Sequence, residues 1–306
     1  MRFFFPIIIF FLIANCSAAG GEKTEDKTDS GTCLTDTCSQ TDAAVPDAYY
    51  NDMPADVAKI ESVLGKAKKV ADLNDRIISI TQEFIGTPYV GGTLNVPAEE
   101  QLYVNTTSFD CLTFVETVTS LAKAAGKEKP TVEDFLRNLQ GIRYRDGEVA
   151  GYPSRLHYFS EWAIDNQRRG NLREISGDYE GAEERVKTID YMTKNRKLYP
   201  ALKDEDVYEA IKENEKPLKD FHYFMIPTAE VEKAAAGCLK SGDIVAIVTD
   251  KAGLDVSHVG VLEIKEGVPY LIHASSKYKK VVNDTLPLKD YLKQRKSPGI
   301  RAFRIL

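Results

Sequence analysis

Cys111 follows Asp110 in the segment SFDCLTFVETVTSLAKAAG. An Asp just ahead of a helically periodic run reads as an N-cap, which places the thiol in the first helical turn. Unpaired backbone N–H groups and the positive end of the helix dipole there favour thiolate over thiol, the requirement for a cysteine nucleophile. The same residues also fit a buried helix cysteine. Two histidines supply the missing context. In VSHVGVLEI, alternation sets His258, Gly260 and Leu262 on one strand face, and His273 ends the next apolar run, VPYLIHASS. A hairpin through Lys265, Glu266 and Gly267 would bring both rings to one end of a sheet. One imidazole could then orient the other, giving nucleophile, base and orienting group. His157 and His222 have no such pairing, and Cys238, between AAAG and a Lys-Ser-Gly-Asp turn, reads as a small packing residue.

The elements that must position these groups change character along the chain. Val57, Ile60, Val63 and Leu64, then Leu73, Ile77, Ile80 and Phe84, have helical spacing and predict two helices between Met53 and Phe84. GTPYVGGTL and the residues after it carry turn signals, so the chain loops before Asp110. The helix after Cys111 puts Leu112, Val115, Val118 or Thr119, and Ala122 on one face and closes at Gly126. TVEDFLRNL, HYFSEWAIDNQ and DVYEAIKEN predict helices in a polar insertion at about 127–221. DIVAIV, HVGVLEI, VPYLIHA and GIRAFRIL are short β-branched runs and predict antiparallel strands. Helices first and strands afterwards give an α+β class, with 53–306 as one domain.

The 306 residues carry 40 Lys and Arg against 46 Asp and Glu, a formal charge of −6. Residues 17–52 hold eight of the acids and only Lys23 and Lys27, so the remainder is near neutral and lacks the basic excess a nucleic-acid phosphate backbone requires. The first sixteen residues place Arg2 before an apolar run, Phe3 to Ile13, of signal-peptide length. Ile13-Ala14-Asn15-Cys16 resembles a bacterial lipobox, although Asn15 stands where Gly, Ala or Ser is usual. The reading is an exported lipoprotein acylated at Cys16, with 1–16 as signal peptide and 17–52 as a flexible acidic tether. It would sit on the periplasmic face of a membrane, the outer one by expectation. Cys33 and Cys38 lie in the tether and fit either a small disulfide or two cysteines without a structural task.

Five motifs in order, GTPYVGG, SFDCLTFVE, SGDIVAIV, SHVGVL and LIHASS, resemble the NlpC-type papain-like cysteine peptidases of bacterial cell walls. RYRDGEVAGYPSRLHYFSEW between them resembles the N-acetylmuramoyl-L-alanine amidase-like subgroup, formerly a domain of unknown function. The resemblance implies a nucleophile helix packed on a small antiparallel sheet. It implies Cys111 as nucleophile, His258 as base, His273 as third polar residue and Tyr89 beside the thiol. Val90-Gly91-Gly92 replaces the Trp-Gly-Gly of small members, and the stretch from there to Cys111 is longer, so the cleft should differ from theirs. The subgroup implies hydrolysis of the amide between N-acetylmuramic acid and L-alanine in peptidoglycan fragments. The alternatives are the γ-D-glutamyl to diamino-acid bond and a non-catalytic peptidoglycan-binding lipoprotein. No metal or other cofactor is expected, since His258 and His273 lack further ligands at metal spacing.

Substrate is expected to meet Tyr89, Asp110, Arg155, His157, Tyr158 and Ser257. YPSRLHYFSEW packs Tyr152, Arg155, His157, Tyr158, Phe159 and Trp162 into eleven residues. That density suits sugar stacking and recognition of carbonyl or carboxylate by Arg155, and equally a helix turned into the core.

Overall fold

The computed structural model describes residues 45–97 and 99–306, so Cys16, Cys33, Cys38 and most of the expected tether lie outside the described residues. Among the described residues the first element is the three-residue strand β1 (Ala48–Tyr50), followed by helices α1 (Met53–Ala67) and α2 (Leu73–Gln82). Asp52 caps α1 through the Ala55 N–H, and Asp72 caps α2 through Asp75, so each helix starts where a short acceptor precedes an apolar period. The folded unit therefore includes residues ahead of Met53. β1 pairs in parallel with β2 (Leu102–Val104), Tyr49 opposite Tyr103.

Helix α3 (Cys111–Ala125) is central. Twelve of its fifteen residues are buried, more than the single face its period predicts, because α1, α2, α4 (Val132–Arg143) and the sheet surround it. Glu116 can lie inside only because Arg143 donates to it at 2.7 Å and anchors on the Tyr103 carbonyl. Past α4 come α5 (Phe159–Arg168), strands β3 (Leu172–Glu174) and β4 (Glu183–Lys187), and helices α6 (Tyr191–Lys194) and α7 (Glu205–Glu215). The three helices read from sequence in this stretch form as α4, α5 and α7. Two features differ from an added helical piece: α4 contributes Phe135, Leu136, Leu139 and Ile142 to the main core, and β3 and β4 join the sheet. Both strands are short and polar, without the apolar alternation that reveals a strand.

The rest is β5 (Phe221–Pro227), α8 (Val231–Gly237), β6 (Ile244–Val248), β7 (Val256–Lys265), β8 (Val268–Ser275), β9 (Lys280–Asn283), α9 (Leu288–Gln294) and β10 (Gly299–Ile305). The sheet runs β4-β5-β10-β6-β7-β8-β9, with β3 also on β10 and every pairing antiparallel. One face, through Ile244, Ala246, Val259 and Val261, packs on α1 to α5; the other, through Val245, Ile247, Leu262 and Leu271, packs under α8 and α9. Burial on both faces explains why DIVAIV is apolar throughout instead of alternating. The described residues form one compact unit, an α+β fold. Among the described residues no helix is long and apolar enough to cross a membrane.

Candidate active site

Asp110 is the N-cap of α3. Its carboxylate accepts the Thr113 N–H at 2.9 Å while the Thr113 hydroxyl accepts the Asp110 N–H at 3.0 Å, a reciprocal cap that fixes Cys111 as the first helical residue. The PYV segment stitches this start to the sheet. Phe109 and Val90 N–H bond to Pro88 and Phe109 carbonyls, and Tyr89 N–H bonds to Lys279 O, so the half-buried Tyr89 ring stands beside the thiol.

The electrostatics at Cys111 are less favourable to a thiolate than the helix start alone suggests. Burial first and the Asp110 carboxylate second push the thiol up to about 12, against the backbone N–H groups of Val259, Cys111 and Leu112, which favour thiolate. Cap and thiol are adjacent, so the residue that builds the helix start also repels a negative sulfur. The balance favours the protonated thiol.

His258 lies at a β-bulge: Ile247 pairs with His258 and Val248 with Val256, leaving Ser257 as the extra residue. The bulge turns His258 toward the cleft that also contains Cys111. The hairpin forms as read, with Glu266 at φ 50° and Gly267 at φ 81°, as a two-residue turn of this hand requires. The register Val261 to Ile272 continues to set Gly260 opposite His273, one diagonal step from His258. Gly260 is required there, because a Cβ would lie 2.8 Å from Ile272 O and 3.0 Å from His273 Cβ.

The two rings meet edge to face, His258 Nε2 at 2.6 Å from His273 Nδ1. Behind them is a residue the sequence reading did not select: Asp284 Oδ2 lies 3.3 Å from His273 Nε2. Asp284 is held by its own N–H on Leu271 O and by the Leu286 N–H on its second oxygen. Burial would raise this carboxyl, but the bonds from His273 and Leu286 hold it below the usual carboxylate range. An ionised Asp284 can only accept, so His273 carries its proton on Nε2 and accepts on Nδ1. His258 must then donate from Nε2, which leaves the lone pair on its Nδ1. Burial, then His273 and Arg295, lower His258 well below 6.5, so it is a neutral base. Burial likewise lowers His273, with Asp284 opposing and Arg295 adding to it.

Cys111, His157, Tyr158, Tyr199, Ser257 and His258 line a cleft of about 200 Å³, and Tyr199 also borders a larger one of about 910 Å³ with Tyr152, Arg155 and Glu100. Ser257 is exposed at the bulge, its Oγ 3.4 Å from Ile247 O. Arg155 is 5% exposed and its guanidinium is committed to Leu94 O, Asn95 Oδ1 and Glu100, so it holds the 94–100 loop. Tyr158 is likewise committed: its hydroxyl donates to Glu215 and accepts the Met192 N–H. Burial and then Arg155 push His157 down to about 3, the Tyr152 carbonyl opposing, and its Nε2–H donates to that carbonyl at 2.9 Å. Phe159 and Trp162 stack together in the core. Of the aromatic cluster, therefore, Tyr152, His157, Tyr158 and Phe159 border the clefts, Tyr158 and Phe159 with little accessible surface, and the sugar-stacking reading loses Trp162. His222 is exposed on β5 against Glu184. Among the described residues no group of three or more His, Cys, Asp or Glu is placed to hold a metal.

Residues 79–300 match the AmiA-like family model, described as N-acetylmuramoyl-L-alanine amidase-like. The chain belongs to that family. Among solved structures it is similar to an N-acetylmuramoyl-L-alanine amidase from Bacteroides uniformis, 35% identical over 76% of this chain and 99% of that one, with a TM-score of 0.71. It is also similar to a protein from Bacteroides fragilis named provisionally as a xylanase, 38% identical over 74% of this chain and 99% of that one, with a TM-score of 0.70. No curated protein matches the chain.

Proposed function

We propose that this chain is a cell-wall amidase that hydrolyses the bond between N-acetylmuramic acid and L-alanine in peptidoglycan fragments, on an NlpC-type papain-like scaffold. The observation that carries the reading is the hydrogen-bonded line from Asp284 through His273 to His258, ending in the cleft that holds Cys111. In the proposed reaction His258 Nδ1 takes the Cys111 proton as Sγ attacks the lactyl carbonyl carbon. Backbone N–H groups at the α3 start stabilise the oxyanion, and Tyr89, whose phenol burial and then Cys111 and Asp110 keep protonated, offers a further donor. Imidazolium at His258 is supported from behind by His273 and Asp284. The intermediate collapses as His258 returns its proton to the L-alanine amine. Water then attacks the thioester, giving a proton to His258, and the sulfur leaves and is reprotonated.

A glycosidase reading, suggested by the name of one neighbour, needs two carboxylates flanking a sugar. The nucleophile cleft is lined by one, Asp255, and its two oxygens accept the Ser160 and Val256 N–H groups. The lipoprotein reading with acylation at Cys16 and a periplasmic site belongs to the same proposal, supported by the residues before Cys16. Presenting one stem peptide with and without its muramyl group and identifying products by mass tests the bond. Free N-acetylmuramic acid and a peptide beginning with L-alanine are expected; cleavage after D-glutamate, indifferent to the sugar, would favour the endopeptidase alternative.

A further inference from the structure

The nucleophile cleft, at about 200 Å³, is smaller than the ~300–1,000 Å³ of ordinary small-molecule sites, whereas the cleft beside it measures about 910 Å³. Tyr199 lines both, and the ring centroid of His157 in the first lies 4.3 Å from that of Tyr152 in the second, so the two run together. The larger cleft lies between two loops, each held by one arginine. Arg155 fixes Leu94, Asn95 and Glu100 on one side. On the other, Arg196 donates to the Leu202 carbonyl at 2.5 Å and to Glu205 at 2.8 Å, and Tyr199 stands between consecutive 3₁₀ turns, Arg196–Leu198 and Pro200–Lys203. Walls held this way are formed before a ligand arrives. Val96 and Leu198, 59% and 64% exposed, stand open on the two loops, an apolar surface that a ligand would cover. Arg155 is the only cation on the wall, and besides its bonds to the loop it hydrogen-bonds the Tyr152 hydroxyl. Glu100 answers Arg155, and Glu99 is exposed.

The two halves of a muropeptide differ in charge. The stem peptide carries the carboxylates of D-glutamate and of its last residue, which would meet Glu99 and Glu100 here with no uncommitted cation to pair with. The glycan half is neutral, and each N-acetylated sugar offers an apolar face and a methyl group to an aliphatic and aromatic wall. Tyr152 is a poor platform, since Arg155 lies over its ring at 4.9 Å and His157 packs on it. Tyr199 has no aromatic or cationic partner, and its hydroxyl has no hydrogen bond, among the described residues. Burial, then Tyr191, Tyr152 and Glu215, push that phenol up to about 12, so it is a donor at neutral pH. Asn95 accepts from Arg155 on Oδ1 and keeps its amide N–H groups to offer.

We propose that the larger cleft is a subsite for a second, neutral N-acetylated sugar, glycosidically linked to the muramyl unit, with Tyr199 as the specificity-determining ring between the two clefts. The placing of the muramyl unit at Cys111 rests on the amidase reading; the sugar site itself does not.

Saturation-transfer NMR of the full chain with N,N′-diacetylchitobiose, a neutral probe without a muramyl group or lactyl amide, tests the site without turnover. Transfer to its N-acetyl and ring protons is expected in wild type and in Cys111→Ala, kept in Tyr199→Phe and lost in Tyr199→Ala. The double variant Val96→Ser, Leu198→Ser should weaken it at unchanged Tm, and because both side chains are exposed it serves even if Tyr199→Ala does not fold. No transfer, or transfer unchanged in the double variant, whose residues line the larger cleft and not the smaller, overturns the site. So does displacement of the probe by free stem peptide, which would make this a peptide cleft. In kinetics, wild type should cleave the disaccharide-bearing peptide with a kcat/KM about tenfold above that of the muramyl peptide, the scale of one aromatic contact, and the double variant should bring the ratio toward unity. Equal values in wild type overturn the preference. Turnover without sugar binding removes the subsite and leaves the amidase reading; sugar binding without turnover does the reverse.

Discussion

The Nε2 of His258 lies 2.6 Å from Nδ1 of His273, and the direction of that hydrogen bond is set from the far side of the pair by Asp284. The three residues occupy neighbouring strands or their ends, each one diagonal step from the last, so the sheet register determines which nitrogen of the proposed base is free.

Asp284→Asn should lower kcat by about 10²–10⁴-fold with little change in KM, because an amide can donate to His273 and reverse both tautomers. Asp284→Ala should be no worse. Steady-state kinetics with Cys111 titrated as a concentration control would check this; wild-type kcat in the Asn variant would remove Asp284 from the relay.

His258→Ala should abolish turnover as completely as Cys111→Ala. His273→Asn or His273→Gln should retain part of it, since an amide can still orient the base ring. Cys238→Ala, on a half-buried residue packed against the second core, should leave activity unchanged. Equal total loss in all the histidine variants would argue against an orienting role for His273.

Because burial and Asp110 raise Cys111 to about 12, alkylation of the free enzyme should be slow at neutral pH and still be rising beyond pH 9.0, the ordinary thiol value. A plateau below neutrality would instead indicate a preformed thiolate. Stability has the opposite acid limb: His258 and His273 are lowered in the fold, so the unfolded chain binds more protons below about pH 6.5. The two histidines therefore contribute stability that is fully present above that pH and falls as pH drops toward their folded values, measurable as a falling Tm.

Gly260→Ala should cost about 1–3 kcal/mol by overpacking against Ile272 O and His273 Cβ, and should lower kcat by moving His273. Arg155→Ala should also act through structure, at about 3 kcal/mol, since it leaves Glu100 inside without its cation and frees the 94–100 loop. Denaturant unfolding alongside KM would show both. A higher KM in Arg155→Ala with unchanged stability would restore direct substrate contact.

The helices around Cys111 and the strands β6, β7, β8 and β10 were legible because their apolar runs are continuous or periodic and the helix caps are Asp, Thr or Gly. The His258 and His273 pairing followed from alternation plus one two-residue turn. Asp284 was not legible, since Asn-Asp before Thr-Leu-Pro reads as turn punctuation, and only the β8 to β9 register brings it onto His273. β1, β2, β3, β4 and β9 escaped notice because strands of three to five residues are too short to show a period, and β5, Phe221–Pro227, because Phe, Tyr, Met and Ile run together without alternation. The raised Cys111 thiol was hidden by the same adjacency that revealed the helix start: the cap signal and the repelling charge are one residue, Asp110.

The most direct measurement is the intact mass of the protein after brief mixing with a muramyl-bearing stem peptide and acid quench. The account predicts an adduct on Cys111 with the mass of the muramyl-lactyl acyl group, absent in Cys111→Ala and accompanied by release of a peptide beginning with L-alanine. Turnover of that substrate by Cys111→Ala, or an adduct whose mass includes L-alanine and D-glutamate, would contradict it.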